Sequence, residues 1–388
     1  MTTILKVFTL HLFIMLHGVH GHIYDVTEYG AEPSNIDNKD AFLAAWRAAC
    51  GSAAGNATLL IPEGTFAVST VEFSGPCKNG RSPLAVVVDG VLHPCAGGCH
   101  RKSGDDDVWI TFSGVSNLLV TGAGTLDGRG GEHGHSNGGG KSKTTTTLEL
   151  DSVANATVRG LRFLNSRGFH LNLHRSSHVA AERLRIEAPA ASRNTDGIHV
   201  GLSSHVTVAD SLVGTGDDCV SIGPGSSGVV VAGVACGPGH GISVGSLGRE
   251  EGEGDVRGLV VRNCTVVGTT NGLRIKTWPG SPPSRAFNIT FRDIVMSNVS
   301  NPIIIDQHYC PHAHCSDIAK LLCSEDRPCS GVRFDRVNLS CGRERCGSKF
   351  SNVEGTKPTL VAADEAAAFG PGAVPPPDQD ADVVESQH

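Results

Sequence analysis

The sequence predicts an all-β protein, folded as a right-handed, single-stranded parallel β-helix with one short helix capping its N-terminal end. Two observations support this fold class. Short apolar-x-apolar triplets recur through the middle of the chain without helical patterns between them. Glycine is abundant, at 49 of 388 residues, and the apolar residues are mainly valine, isoleucine and leucine, which is typical of many short strands joined by tight turns.

The triplets are spaced like the coils of a solenoid. Successive starts are separated by 27, 22, 22, 31 and 30 residues, at Leu171, Ile198, Val220, Ile242, Leu273 and Ile303. Apolar segments such as "HVTVADSLVG" and "LVVRNCTVVG" precede them and recur at a similar spacing. Because one coil cannot bury its own apolar face, we expect neighbouring coils to stack around a common core. A β-sandwich with irregular strand spacing is the alternative.

One segment before the repeats has a helical pattern. In "NKDAFLAAWRAACGS", Phe42, Trp46 and Ala49 fall on one side of a helix. This helix is expected to cap the solenoid, which we assign to residues 22–355. The tail of residues 356–388 is rich in alanine, proline and aspartate, and is expected to be disordered.

Residues 1–21 have the pattern of a signal peptide. The apolar run Val7–Leu16 is short for a membrane span, and Val19 and Gly21 fit a small-residue cleavage site. A buried N-terminal strand is the alternative for this segment. Thirteen cysteines suit an oxidising compartment, and their odd number leaves at least one thiol outside an internal pair. The mature chain is therefore expected to be secreted.

Several function classes receive no support. A net charge of −7 does not favour nucleic-acid binding, and no later segment is apolar and long enough for a membrane span. No C-x-x-C pair is matched by a second pair with zinc-site spacing, so we expect no metal site and no cofactor. Glycosylation is permitted by six N-x-S/T sequons, at Asn56, Asn155, Asn263, Asn288, Asn298 and Asn338.

Two adjacent carboxylates, Asp217 and Asp218, stand in "GTGDDCVSIG", between a small-residue turn and a strand-like run. The position two residues before a triplet holds Asp196, Asp218 and His240 in three consecutive coils. Neighbouring strands lie ~4.8 Å apart, so coils stacked in register would bring these three side chains into one column. Asp217 should point slightly away from it.

Basic side chains are expected on the same face as these acidic residues, one coil further along the chain. Arg274 is the middle residue of the next triplet, and Lys276 follows it with the same outward orientation. Carboxylates this close raise the pKa of at least one acid, which then holds a proton near neutrality beside ionised neighbours. A general acid next to general bases is what hydrolysis of a glycosidic bond requires. The alternative for a single "GDD" is that its aspartates only cap backbone groups in a turn.

Four segments, "NTDGIHV", "GTGDDCVSIG", "CGPGHGISVGSLG" and "RIKTWPG", closely resemble the signatures of polygalacturonases in glycoside hydrolase family 28. The resemblance extends from "YDVTEYGA" through "LLIPEGTFAV" and "FSGPC" to "NPIIIDQHYC", and it is greatest to exo-acting plant enzymes of the pollen type. It implies a pectin-lyase-like β-helix that hydrolyses α-1,4-linked galacturonic acid in demethylated pectin with inversion. Such a protein is expected in the plant cell wall, as a monomer.

The resemblance also implies roles for individual residues. Asp217 is expected to be the general acid, with its protonation supported by His240. Asp196 and Asp218 are expected to be the bases that activate water. The residues expected to bind substrate are Arg274, Lys276, Tyr309 and Asn194.

The resemblance further implies a disulfide between Cys219 and Cys236. The chain departs from the family pattern after "DQHYCPHAHC", where about one coil of ~20–25 residues is expected to be missing. Because of this gap, a non-catalytic pectin-binding relative is one alternative function. The others are a hydrolase of another pectic backbone, such as rhamnogalacturonan, and a pectate lyase.

Overall fold

A computed structural model describes most of the solenoid. The described residues are 21–53, 56–78, 83–95, 108–130, 145–279, 282–307, 309, 319–323, 325, 328–330, 332–338 and 349–353. Within them, parallel strands form nearly all of the regular structure, and the chain winds as the right-handed parallel β-helix that the sequence predicts. The predicted signal peptide, apart from Gly21, and the predicted tail lie outside these residues.

Strands are numbered β1–β29 along the chain, and eleven of them form sheet 1, which carries the predicted triplets. Its strands are β4 (Val71–Ser74), β7 (Val108–Ser113), β10 (Thr146–Asp151), β13 (Leu171–His174), β16 (Ile198–Gly201), β19 (Val220–Ile222), β22 (Ile242–Leu247), β24 (Asn271–Thr277), β26 (Asn301–Asp306), β27 (Ala319–Leu322) and β29 (Lys349–Ser351).

Two further parallel sheets close the coil. Sheet 2 contains β1 (Ile23–Asp25), β2 (Thr58–Ile61), β5 (Leu84–Val88), β8 (Ser116–Thr121), β11 (Ala154–Arg159), β14 (Ser177–Glu182), β17 (Ser204–Ala209), β20 (Ser227–Ala232), β23 (Val256–Val267), β25 (Ala286–Ser297) and β28 (Val332–Asn338). Sheet 3 contains β3 (Thr65–Val68), β6 (Val91–Pro94), β9 (Thr125–Asp127), β12 (Arg162–Leu164), β15 (Arg185–Glu187), β18 (Leu212–Gly214) and β21 (Ala235–Cys236). The long strand β23 pairs with both β20 and β21, and therefore joins sheets 2 and 3.

The predicted triplets lie in register on sheet 1. Ile198 is paired with Val220, and Val220 with Ile242, and the same register extends from Leu171 to Ile303. The first and third residues of each triplet are buried in the core, while the middle residue lies on the outer face of the sheet, where it is half-buried except at the buried Ser221 and Ser243. Full burial of one such side chain contributes about 1.5–3 kcal/mol, so the stacked apolar positions hold the coils together.

The predicted cap is the helix α1 (Lys39–Cys50), which follows a 3₁₀ helix at Val26–Tyr29. Its buried face includes Phe42, Trp46 and Ala49, as the sequence predicts, and it packs against strands β1, β2 and β4. The Trp46 ring lies 5.2 Å from Phe73 of the first strand of sheet 1. The helix thereby covers the N-terminal end of the core. No helix in the described ranges is long and apolar enough to cross a membrane.

In the C-terminal coils, sheets 1 and 2 no longer gain strands in alternation. Strand β27 joins sheet 1 only 16 residues after β26, because Ile303 pairs with Ala319. In sheet 2, β25 instead pairs directly with β28. Sheet 1 therefore gains the strand β27 directly after β26. Among the described residues, no strand of sheet 2 lies between β26 and β27 in sequence. That a coil is missing relative to the family stays a prediction, but the pairings show that sheet 1 gains a strand here while β25 and β28 of sheet 2 are direct neighbours.

Candidate active site

The outer face of sheet 1 carries the predicted carboxylates. Asp196 precedes β16, Asp217 and Asp218 precede β19, and His240 precedes β22. The register of these strands places Asp196, Asp218 and His240 at the same position of three successive coils, as predicted. Their side chains do not form a simple column, because each carboxylate has its own set of partners.

Close backbone approach builds the turn that carries the two adjacent aspartates. A Cβ on Gly216 would lie 1.9 Å from the carbonyl oxygen of Ser192, so only glycine fits at this position. The Gly216 amide donates to the Thr195 hydroxyl at 3.1 Å, which ties this turn to the turn that carries Asp196. The two acid-bearing turns are therefore fixed against each other by contacts that do not involve the aspartate side chains.

A disulfide joins Cys219 to Cys236, as the resemblance implied. Both cysteines are buried, and Cys219 directly follows Asp218. Closing a loop of this length stabilises a fold by about 3 kcal/mol. Because Cys236 lies shortly before His240, the disulfide ties the acid-bearing turn to the histidine-bearing turn.

Asp218 is buried and is held by two cations. Its Oδ1 accepts hydrogen bonds from Arg274 Nη2 at 2.8 Å and from Ser243 Oγ at 2.7 Å, and its Oδ2 accepts one from Lys276 Nζ at 3.1 Å. Burial raises the pKa of this carboxyl, but Lys276 and Arg274 outweigh it and leave the pKa below its ordinary value. Asp218 is therefore ionised at neutral pH.

Asp196 occupies the corresponding position one coil earlier with the opposite result. Burial, together with the negative charges of Asp218 and Asp217, raises its pKa well above the ordinary value. The donor that contacts its carboxyl is neutral, since Ser221 Oγ donates to Asp196 Oδ2 at 2.5 Å. Burial, and after it the crowding of carboxylates, thus raises the pKa of one acid, and that acid is Asp196.

Asp217 is paired with His240 rather than with the cations. Its Oδ1 lies 2.9 Å from His240 Nδ1, and its Oδ2 accepts a hydrogen bond from the backbone amide of Asn194 at 3.2 Å. The Asp217 side chain is 21% exposed, compared with 2% for Asp218, so a ligand on the surface of sheet 1 can reach it. Asn194 approaches the site through its backbone, which has a left-handed φ of 57°.

Tyr309 lies beside the cations. Its ring centroid is 5.5 Å from Lys276 Nζ and 5.3 Å from the ring of Trp278, which it meets edge to face. Its backbone amide donates to the carbonyl of Thr277 at 3.1 Å. The structure therefore brings together all eight of the residues predicted to catalyse or bind substrate.

Three polar residues of the site were missed by sequence reasoning. They are the middle residues of three consecutive triplets, "IHV", "VSI" and "ISV", namely His199, Ser221 and Ser243. Ser221 contacts Asp196, Ser243 contacts Asp218, and His199 Nδ1 lies 2.8 Å from Ser221 Oγ. A signal was available, because the middle positions of triplets point outwards on the face that carries the carboxylates.

The donor set can move a proton and bind an anion. Asp217, Asp218 and His240 each offer a ligand atom within 4.8 Å of the others, which is close enough for one metal ion. However, both oxygens of Asp218 already accept hydrogen bonds from cationic side chains, and these charges repel a metal cation. The arrangement instead places a reachable carboxyl, an ionised carboxylate and two cations next to one another, which suits acid–base hydrolysis of an anionic substrate.

Known proteins resemble this chain along most of its length. The family model described as "Glycosyl hydrolases family 28" matches residues 50–319. The chain is 40% identical over 368 residues to an exopolygalacturonase of Platanus acerifolia, covering 88% of this chain and 96% of that protein. It is also 40% identical over 357 residues to an exopolygalacturonase of Arabidopsis thaliana, covering 86% of this chain and 82% of that protein.

A solved structure has the same fold. The polygalacturonase of Erwinia carotovora superposes on the chain with a TM-score of 0.63, at 20% sequence identity. The match covers 84% of this chain and 95% of that structure. At this identity the similarity extends to the fold alone.

Proposed function

The chain belongs to family 28 of the glycosyl hydrolases, and on that premise we propose that it is a secreted polygalacturonase. It hydrolyses the α-1,4-galacturonosyl linkages of demethylated pectin with inversion, releasing sugar from the end of the polymer. The observation that carries the proposal is the group formed by Asp217 and His240 beside the cation-paired Asp218 on sheet 1. The two exopolygalacturonases at 40% identity support action at a chain end.

Asp217 is the general acid in this proposal. It donates a proton to the oxygen of the leaving sugar, which a general acid must reach directly. Its partial exposure and its contact with His240, 2.9 Å away, support this role. His240 orients the carboxyl and remains within reach of the proton that Asp217 must recover after each turnover.

Asp218 and Asp196 are the general bases. An inverting hydrolase needs a carboxylate that removes a proton from water as the water attacks the opposite face of the sugar. The lowered pKa of Asp218 supports this role, because an ionised carboxylate can accept that proton at neutral and mildly acidic pH. Asp196 lies at the same position of the preceding coil, and in this proposal it acts on the same water.

Arg274 and Lys276 attract the charged sugar. Galacturonate is an anion, and of the five N–H donors of Arg274 one reaches Ser243 and one reaches Asp218 among the described residues. Further donors of Arg274 and Lys276 are therefore able to bind a uronate carboxylate, with Tyr309 packed beside them. Local positive charge allows a protein of net charge −7 to bind a polyanion.

Secretion into the plant cell wall is part of the proposal. Its support is the signal-peptide pattern of residues 1–21 and the three disulfides among the described residues, which persist in oxidising compartments. We propose that the enzyme acts as a monomer, without a cofactor, on a pectic polysaccharide. Nucleic acid and membranes have no part in this function.

Product analysis on polygalacturonic acid tests the proposal. Reducing ends, oligomer sizes and viscosity are followed over time, with Asp217→Asn as the matched inactive control. We expect galacturonate monomer from the earliest times with slow loss of viscosity, and no turnover by the folded Asp217→Asn protein. Substantial turnover by this variant would remove the assignment of the general acid.

Other products identify other functions. A ladder of oligomers with rapid loss of viscosity means an endo-acting enzyme. Unsaturated products that absorb in the ultraviolet mean a lyase. Cleavage of rhamnogalacturonan in place of polygalacturonate means a different pectic backbone, and binding by folded protein without new reducing ends means a non-catalytic relative.

A further inference from the structure

The two proposed bases are supported by neighbouring serines in different ways. Ser243 donates to Asp218 and itself accepts a hydrogen bond from Arg274 Nε at 3.1 Å. Ser221 donates to Asp196 and is itself contacted by His199 Nδ1 at 2.8 Å. Both serines are buried middle residues of their triplets, one coil after the aspartate that each contacts. A cation therefore holds the first serine, while a histidine holds the second.

The protonation of His199 follows from its surroundings. Burial lowers the pKa of His199 to about 4, so its ring is neutral near neutral pH and carries a single N–H. The Ser221 hydroxyl has one hydrogen, and this hydrogen is donated to Asp196. The Nδ1 atom of His199 must then carry the N–H and donate it to Ser221 Oγ, which leaves Nε2 without a hydrogen.

The fold holds the His199 ring in this position. Phe169 stacks on the ring with a centroid distance of 4.6 Å and an interplanar angle of 19°. A Cβ on Gly223 would lie 3.2 Å from Nε2, so glycine at this position leaves room for the ring. The ring therefore has little freedom to rotate away from Ser221.

We propose that Ser221 and His199 form a positioning relay, in which His199 holds the Ser221 hydroxyl, and Ser221 favours the ionised form of Asp196 and directs its carboxylate at the attacking water. This proposal rests on the proposed function for its kinetic consequences, and it assigns both residues as positioning residues. It also explains how a carboxyl that is buried beside two other acids can act as a base. A hydrogen bond from a hydroxyl stabilises the ionised form of a carboxyl and lowers its pKa.

The remaining charged surroundings of Asp196 cannot replace this hydrogen bond. Asp217 and Asp218 raise its pKa, while Lys276 lowers it but is committed to Asp218. His170, on the preceding coil, reaches Asp196 at its backbone carbonyl and not at its carboxyl, through Nδ1 at 2.9 Å. Burial lowers the pKa of His170 to about 4, so this ring is neutral as well. Ser221 is thus the one hydroxyl that acts directly on the Asp196 carboxyl among the described contacts.

The test compares Ser221→Ala with Ser221→Thr, which retains a hydroxyl. In Ser221→Ala we expect kcat to fall about 10- to 100-fold with little change in KM, as for removal of a hydrogen bond to a charged group. The acidic limb of the kcat profile should move to higher pH by about one unit, because Asp196 becomes harder to ionise. Ser221→Thr should restore most of the lost kcat and return the acidic limb close to its original pH.

A second pair of variants tests the histidine. His199→Asn retains an amide N–H close to the position of Nδ1, whereas His199→Leu removes the donor. We expect His199→Leu to move the acidic limb of the kcat profile to higher pH, as Ser221→Ala does. We expect His199→Asn to give a smaller shift. If Ser221→Ala does not fold, this pair alone decides, and equal acidic limbs in all folded variants would overturn the relay.

The matched control is Ser211→Ala, which removes a serine buried on the opposite side of the same coil. Its hydroxyl donates to the carbonyl of Ala209 and accepts from the amide of Leu184, so its role is structural. We expect this variant to lose stability while its acidic limb stays unchanged. A shifted limb in Ser211→Ala would mean that any buried defect moves the profile, which would also overturn the relay.

A readout without turnover separates this proposal from the proposed function. The carboxyl carbon of Asp196 is titrated by NMR in protein labelled with ¹³C-aspartate, and its signal is assigned by its absence in Asp196→Asn. A higher pKa in Ser221→Ala than in the unaltered protein supports the relay even if neither protein cleaves pectin. An unchanged pKa overturns it, while an inactive unaltered protein overturns only the proposed function.

Discussion

Asp196 and Asp218 occupy the same position in neighbouring coils, yet their pKa values move in opposite directions. Each lies two residues before a paired strand, each is buried, and each accepts a hydrogen bond from a serine one coil later. Asp218 also contacts Arg274 and Lys276, whereas Asp196 is surrounded by acids and by neutral donors. The repeating backbone places the two carboxylates at equivalent positions. The side chains of the neighbouring coils surround them with different charges.

This difference shows how a solenoid can build an asymmetric site. Each coil contributes the same backbone geometry, so function depends on which side chains the flanking coils supply. The cations come from β24, two coils after Asp218 and three after Asp196. A distance of one coil from these cations therefore decides whether the pKa of a carboxyl is lowered, as in Asp218, or raised, as in Asp196.

The largest effect should come from replacing the Asp218 carboxyl by its amide, compared with the same change at Asp196. Asp218→Asn leaves Arg274 and Lys276 without their anion, and breaking such a buried pair costs about 3–5 kcal/mol of unfolding free energy. Asp196→Asn should cost little at neutral pH, because it removes an acid whose ionisation is already disfavoured. Urea unfolding at pH 7 measures both values, and equal losses would show that the two environments do not differ.

Removing one cation should have the next largest effect. Lys276→Met deletes one of the two cationic partners of Asp218, and we expect a loss of about 1.5–3 kcal/mol, the range for a hydrogen bond to a charged group. The double variant with Asp218→Asn should be more stable than the sum of the two losses predicts. Additive losses in this double-mutant cycle would mean that the two side chains are not coupled.

The pH dependence of stability should separate the two acids by sign. Asp218 has a lowered pKa in the folded protein, so its contribution is present above its unfolded pKa of about 3.9 and is lost as pH falls below that value. Asp196 has a raised pKa, so folding loses stability as pH rises from that value towards the folded pKa. Thermal unfolding from acidic to neutral pH should therefore show a steeper loss on acidification in Asp196→Asn than in Asp218→Asn.

The smallest effect is expected at an exposed ion pair on the same sheet. Arg175 Nη2 lies 2.6 Å from Asp151 Oδ2, but the arginine side chain is 56% exposed. Solvent screens such pairs, so Arg175→Ala should cost only about 0.2–1 kcal/mol, and less at high salt. A loss as large as that of Lys276→Met would mean that burial does not account for the strength of the Asp218 contacts.

The coil repeat and the shared position of the acids could be predicted from the sequence. Triplet spacing is a local property of the chain, and a β-coil repeats its register whenever its apolar residues face the core. This was sufficient for the six strands of sheet 1 that contain the triplets, for the helix Lys39–Cys50 and for the alignment of Asp196 with Asp218. The resemblance of the signature segments was sufficient for the family, which the family model confirms.

The C-terminal coils show where this reasoning ends. The departure of the sequence from the family pattern indicated a missing coil, but it did not say which strand was lost. The structure adds the strand pairing, in which β27 follows β26 in sheet 1 while β25 pairs directly with β28 in sheet 2. Strand pairing joins segments that are distant in sequence, so spacing alone could not predict it.

The sequence by itself determined which residues line the outer face of sheet 1. The tertiary structure decided which of these residues touch, and with what charge. Arg274 and Lys276 reach Asp218 across 56 and 58 residues, and His240 pairs with Asp217. The raised pKa falls on Asp196, because a pKa depends on burial and on distances of a few ångströms between atoms of different coils. The period of the repeat sets the order of the coils but does not determine those distances.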